Sequence, residues 1–315
     1  MVDIKTLAIT FPGQGSQSIG MMAGFADMPI VEHTFVEASD ILKVNLWKMV
    51  LEGPEESLAQ TVNTQPVMLT AGVATFRAWK EIGGPDAAVY AGHSLGEYTA
   101  LVAAGALTFA DALPLVRFRA EAMQAAVPEG AGGIAAILGL DEAAIRDVCS
   151  AASQGEVCEA VNLNSPGQTV IAGNRGAVER GMALAKEKGA KRVIMLPMSV
   201  PSHCALMKPA AARLAQYLAS VAISSPTAPV IQNADVKSHD SPDAIRQALV
   251  EQLYRPVRWI ETIQAIAATG IQSVFECAPG KVLTGLNKRI EGSLSCTALT
   301  DSNALKAVFA VNREQ

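Results

Sequence analysis

The chain has 315 residues, of which 50% are hydrophobic and 17% charged, enough for a sizeable core in about two domains. Twenty-five Lys and Arg stand against 30 Asp and Glu, a net charge of −5 without a basic block, which argues against nucleic acid and requires any positive charge that meets an anionic substrate to be local. Five cysteines without a C-x-x-C pair, an amino-terminal apolar run too short for a signal-peptide core, and no apolar stretch of ~20 residues argue against a disulfide framework, secretion and a membrane span, so a cytoplasmic protein is expected.

Residues 7–11 read as a first strand, broken by Pro12, Gly13 and Gly15. The turn "FPGQGSQ" that follows has a Gly-x-Gly at the end of a strand. It lacks the third glycine and the lysine of the nucleotide-binding loops. Residues 87–91 read as a second strand that runs into "GHSLG", and residues 97–107 as a buried, alanine-rich helix. A serine on a sharp strand-to-helix turn has its hydroxyl pushed out of the backbone, with helix N–H groups nearby for an oxyanion. That makes Ser94 a candidate nucleophile, although Gly and Ser also meet by chance in ordinary loops. In "LPLVRFRAEAMQ" the two arginines, Arg117 and Arg119, are about 200° apart on a helix, so only one of them faces a cleft. Pro114 falls near the first turns of that helix or kinks it.

From Gly132 the pattern changes to strand (134–138), helix (141–151), strand (159–164), a Ser-Pro-Gly turn, strand (169–172), helix (177–188) and strand (192–196). This β-α-β-β-α-β order is the ferredoxin-like unit. The predicted fold class is therefore α/β. A large α/β-hydrolase-like domain with a parallel sheet, residues 1–129 and 198–315, carries an inserted ferredoxin-like subdomain at 130–197. Strands at 230–233 and 273–277 belong to the large domain, and the ligand site is expected in the cleft between the two parts.

A nucleophilic serine needs a base, and the chain has four histidines. His33 and His239 fall in polar, solvent-facing stretches. His93 adjoins Ser94 on a turn where neighbouring side chains diverge, and so shapes the turn. His203, in "VPSHCALM", lies where the chain re-enters the large domain, which makes it the preferred base; a histidine satisfied in the core is the alternative. Leu95 N–H is one natural oxyanion donor, and the turn after the first strand could bring a second.

Taken together, "FPGQGSQ", "TQPVMLT", "GHSLGEY", "NLNSPGQTVIAG", "VPSHCALM" and "FECAPGKVLTGL" resemble, in order, the malonyl-CoA:acyl carrier protein transacylases of type II fatty acid synthesis. The resemblance implies Ser94 as nucleophile, His203 as base, the backbone N–H groups of Gln14 and Leu95 as the oxyanion hole, and Arg119 as partner of the malonyl carboxylate. It places the carbonyl that orients the histidine at Gln252. Gln65 and Asn162, read as polar residues of loop and strand, Met123 and His93 complete the expected substrate surroundings. Ala120 follows Arg119 where the family usually has Gly. The implied partners are malonyl-CoA and acyl carrier protein, with neither nucleic acid nor membrane. No metal or redox cofactor is implied, and a monomer is expected. Carrier proteins are acidic as a class, so the basic stretches "LNKRIEG" and "KEKGAKR" are candidate docking sites. The same transfer in malonate decarboxylation or in polyketide synthesis, or a serine esterase or thioesterase, remain the alternatives.

Overall fold

Strings as short and apolar as "LAITF" and "VYAG" suit strands covered on both faces, and this is where the chain places them. The structure, a computed structural model, describes residues 6–198 and 200–313. Residues 1–5, at the start of the amino-terminal stretch judged too short for a signal-peptide core, lie outside them. The strands are β1 (Leu7–Phe11), β2 (Val89–Gly92), β3 (Gly132–Leu138), β4 (Cys158–Ser165), β5 (Gln168–Asn174), β6 (Arg192–Met195), β7 (Val230–Ile231), β8 (Ser273–Glu276) and β9 (Ser295–Ala298).

Among the described residues, five strands form a sheet in the order β7-β2-β1-β8-β9, and every pair in it is parallel. Alternation along β1 divides its side chains between two cores. Leu7, Ile9 and Phe11 enter the larger one, with the helices Thr61–Glu81 and Phe109–Ala126, while Ala8 packs on the opposite face with Val274, Trp259 and Ile263. All carboxyl ends of a parallel sheet lie at one edge, so the turns after β1 and β2 meet there.

The second sheet has the order β4-β5-β3-β6, with each pair antiparallel, which is the ferredoxin-like arrangement. One face is covered by the helices Glu142–Ser153 and Arg175–Glu187 through Ile145, Val148, Ala177 and Val178. On the other face, Ile134, Val161, Val170 and Ala172 pack around Cys204. β4 is also tied to the segment before helix Trp259–Ala268, with Val257 N–H donating to Val161 O at 2.8 Å and Leu163 N–H donating to Val257 O at 3.0 Å.

Several readings of the elements differ from the structure. The strand expected at 230–233 is only Val230–Ile231, because Gln232 turns back to pair with Lys237 and Asn233 leaves the ladder. The helix expected at 97–107 is Gly96–Ala103, ended by Gly105 at φ 72°. Gln65 lies in neither loop nor strand but in helix Thr61–Glu81, which continues through Pro66. The edge strand β9 lies in a stretch not read as a strand. Among the described residues no helix is long and apolar enough to cross a membrane.

Candidate active site

Ser94 occupies the turn between β2 and helix Gly96–Ala103 with φ 52°, a left-handed conformation that costs a non-glycine residue about 1–3 kcal/mol. The glycines on either side allow it. A Cβ on Gly92 would lie 1.9 Å from the Gly96 backbone, and one on Gly96 would lie 2.0 Å from Phe11 O, so the turn, its helix and β1 touch through bare backbone. The turn after β1 closes from the other side, where a Cβ on Gly13 would be 2.5 Å from His93 O. This contact brings Gln14 beside Leu95. The N–H groups of these two residues have no intramolecular acceptor among the described residues.

The structure brings His203 to Ser94, with Nε2 2.8 Å from Oγ. On the far side of the ring, Nδ1 is 2.7 Å from the carbonyl oxygen of Gln252. A carbonyl only accepts, so in the neutral ring Nδ1 carries the proton and Nε2 keeps its lone pair toward the serine hydroxyl. His203 is also left-handed, φ 65°, and is fixed by its N–H donating to Leu253 O at 2.9 Å. His33 is exposed, as read from the sequence. His239 is half-buried rather than solvent-facing, because Asp235 four residues earlier holds its Nε2 at 2.8 Å.

The two arginines of helix Phe109–Ala126 part as their spacing requires. Arg117 reaches outward to Glu121 at 3.0 Å, while Arg119 is 1% exposed. Arg119 Nη1 donates to Gln65 Oε1 at 2.7 Å, and Nη2 donates to Gln252 Oε1 at 2.9 Å and to Ser94 Oγ at 3.3 Å. Its Nε has no partner, and no carboxylate pairs with it among the described residues. Ala120 is fully buried in an uninterrupted helix. The Gln252 side chain, which sequence reasoning missed, also donates through Nε2 to Ser94 O at 2.9 Å. It thereby joins the serine turn, the histidine and the arginine.

The remaining candidates line the same cleft of about 440 Å3. Met123 belongs to both core and wall, accepting from Gln65 Nε2 at 3.7 Å. His93 turns away from the Ser94 hydroxyl to Asn164 Oδ1, 2.9 Å from its Nε2, and packs on Trp259. Asn162 borders the cleft from β4, with its Oδ1 buried and unpartnered among the described residues.

The acyl transferase domain family matches residues 9–310, nearly the whole chain. The chain belongs to this family. It is similar to the malonyl CoA-acyl carrier protein transacylase of Escherichia coli (strain K12), 54% identical over 303 residues that cover 96% of this chain and 98% of that one. The same name belongs to a Bacillus subtilis (strain 168) relative, 43% identical over 315 residues, 99% of each chain. Among solved structures, the malonyl CoA-acyl carrier protein transacylase of Coxiella burnetii superposes with a TM-score of 0.95 at 50% identity, covering 97% of both chains. A malonyl-transacylase in complex with its type II PKS acyl-carrier protein superposes with a TM-score of 0.96 at 51% identity, covering 97% of this chain and 99% of that one.

In this acyl transferase the electrostatics follow from burial. Burial, reinforced by the nearby charge of Arg119, pushes the His203 pKa down to about 3, so the ring is neutral at ordinary pH. His93 is likewise lowered by burial. Glu97, at the start of the helix behind the serine, is pushed up by burial to about 8 and stays protonated at neutral pH. The buried guanidinium therefore faces the cleft without an ionised partner among the described residues.

Proposed function

We propose that this acyltransferase moves the malonyl group from malonyl-CoA to the phosphopantetheine thiol of acyl carrier protein through a malonyl-serine intermediate. The observation that carries the reading is Arg119, a buried cation hydrogen-bonded, among the described residues, only to neutral groups, 3.3 Å from the hydroxyl that His203 holds. Burying such a charge is costly unless an anion pairs with it, and a malonyl carboxylate supplies that anion in fork geometry.

The chemistry is ping-pong acyl transfer. As Ser94 Oγ bonds to the thioester carbonyl carbon, its proton passes to His203 Nε2, and the carbonyl π electrons move onto oxygen. The N–H groups of Gln14 and Leu95 receive that oxyanion. Collapse re-forms the carbonyl and breaks the C–S bond, and the His203 proton goes to the departing CoA thiolate. The carrier thiol then repeats the steps in reverse. Gln252 O holds the imidazole in the required tautomer throughout. Carboxylate binding cancels the Arg119 charge that helps depress His203, so the base strengthens when the correct substrate is present. No step calls for an electron carrier or a metal.

Incubation with malonyl-CoA alone should add one malonyl group to the peptide containing Ser94, and added carrier protein should remove it. Absence of the adduct in rapid-quench samples, or release of free malonate at the same rate without a thiol acceptor, would exclude the transfer. A second reading, supply of a polyketide carrier, is favoured by the likeness to the malonyl-transacylase bound to a type II PKS carrier. Comparing kcat/KM with the two kinds of carrier separates the pathways.

A further inference from the structure

Ser94 is held in a conformation that its own side chain disfavours, and two polar residues outside the set already assigned bear on it. Asn233 follows β7, the strand next to β2, and is fully buried. Its Oδ1 accepts from Ser94 N–H at 2.7 Å and its Nδ2 donates to Gly92 O at 2.7 Å. One amide thus bonds to the backbone on both arms of the turn, as a neighbouring strand would if the β2–β7 ladder continued past its end. Asn233 is fixed in turn by its own N–H, which donates to Glu97 Oε2 at 2.7 Å, and Glu97 stands three residues beyond the serine on the helix the turn begins.

We propose that Asn233, set by Glu97, is a positioning residue that holds Ser94 left-handed so that its Oγ meets His203 and Leu95 N–H faces the acyl oxygen. The proposal rests on the reading of Ser94 as nucleophile. A buried asparagine that only satisfied the core could pair with any backbone groups. This one takes the N–H of the reacting residue and the carbonyl two residues before it, and so fixes the turn on either side of the strained residue. The role of Glu97 is that of an acceptor: with its pKa at about 8 it is a neutral carboxylic acid at pH 7, which glutamine imitates in shape and hydrogen bonding.

The test uses a fluorophosphonate, which reacts with activated serines whatever the natural acyl group, alongside malonyl-CoA and acetyl-CoA. In Asn233→Ala with native near-ultraviolet circular dichroism, labelling of Ser94 and acylation by both thioesters should slow together by about 100-fold, the scale for an ångström of misplacement. KM for carrier protein should not change. Asn233→Ser, polar but too short to reach both arms, should behave alike and decides the matter if the alanine variant does not fold. Glu97→Ala should slow labelling as well, and Glu97→Gln should recover most of the loss, which a purely charge-based or space-filling role does not predict. Wild-type labelling rates in a folded Asn233 variant, or failure of Glu97→Gln to rescue, would overturn the proposal. Wild-type protein that reacts with the fluorophosphonate but not with malonyl-CoA would remove the malonyl reading, and slower labelling of the Asn233 variants would still support the positioning role.

Discussion

In the parallel sheet the strands stop at a common edge, and the segments after β1, β2 and β7 place Gln14, Ser94 and Asn233 there; in the antiparallel sheet β4 borders the cleft through the side chains of Asn162 and Asn164. The difference lies in the backbone. An antiparallel ladder engages N–H and C=O groups in pairs, so what it shows a ligand is side chains. The end of a parallel sheet leaves N–H groups such as those of Gln14 and Leu95 without acceptors among the described residues, and these are what an oxyanion needs. The proposed chemistry therefore belongs to the first region, and the second supplies a wall.

Removal of the proposed base is the largest break this division predicts. His203→Ala should lower acylation of Ser94 by about 1,000-fold, within the usual range for general-base catalysis. His33→Ala and His239→Ala should be near neutral, and Asn162→Ala, on the antiparallel side, should cost at most about tenfold. Pre-steady-state acylation with malonyl-CoA measures all four. A loss at Asn162 as large as that at His203 would break the division.

Next in size is the split between the arginines. Arg119→Ala should cost about 3 kcal/mol in kcat/KM for malonyl-CoA, the scale of a broken buried pair, and leave acetyl transfer unchanged or faster because the stranded charge is gone. Arg119→Lys should restore part of the malonyl rate, having lost the fork. Arg117→Ala is the control on the outer face. Equal losses with both thioesters would make Arg119 a structural residue.

These residues also show where sequence was informative. The Ser94 turn could be read because its glycines are demanded by backbone contact, and a strand and helix flank it. The ferredoxin-like unit could be read because its elements follow one another without interruption. The facing of Arg119 rather than Arg117 could not be read from spacing, which fixes only that they diverge; the resemblance chose between them. Gln65 was misplaced because Pro66 looks like a breaker, yet the helix runs on through it, and Thr70 Oγ1 donates to Pro66 O at 2.7 Å. Asn233, Glu97 and the Gln252 side chain went unseen because nothing local distinguishes a buried polar residue at a strand or helix end from an exposed one. The one available signal was that "QNAD" stands at the carboxyl end of a strand, where α/β sheets place their sites.

Stability against pH gives a smaller contrast at the same edge. Glu97, raised to about 8, binds its proton more tightly folded than unfolded, so its contribution is full below pH 4.5 and is lost as pH rises through 8. His203, lowered to about 3, works in the opposite sense: its contribution is present above pH 6.5 and lost as pH falls toward 3. Denaturant titrations should show that Glu97→Gln removes part of the loss between pH 4.5 and 8 and leaves the acid side as it was. An unaltered alkaline slope would show that Glu97 is ionised in the folded protein.

The smallest effect expected is at the carrier surface, where each sheet offers one of the basic stretches. Lys288 and Arg289 lie exposed in the last turn of helix Val282–Ile290, whose Val282, Leu283 and Leu286 line the cleft and whose Val282 is 49% exposed. Lys186 and Lys188 lie at the end of helix Arg175–Glu187, which covers the antiparallel sheet, and Lys188 is engaged with Asp147 at 3.6 Å. On the proposed function an acidic carrier delivers its thiol to Ser94, so a cluster on a helix that forms the cleft wall is better placed than one on the outer layer. Exposed charges act mainly on encounter and are screened by salt. Reversing Lys288 and Arg289 should raise KM for carrier protein about three- to tenfold at low salt, less at high salt, and leave KM for malonyl-CoA unchanged. The same reversal at Lys186 and Lys188 should do little. If instead the second pair gives the salt-dependent rise, the carrier approaches across the antiparallel sheet, and the division between a reactive edge and a passive wall does not extend to docking.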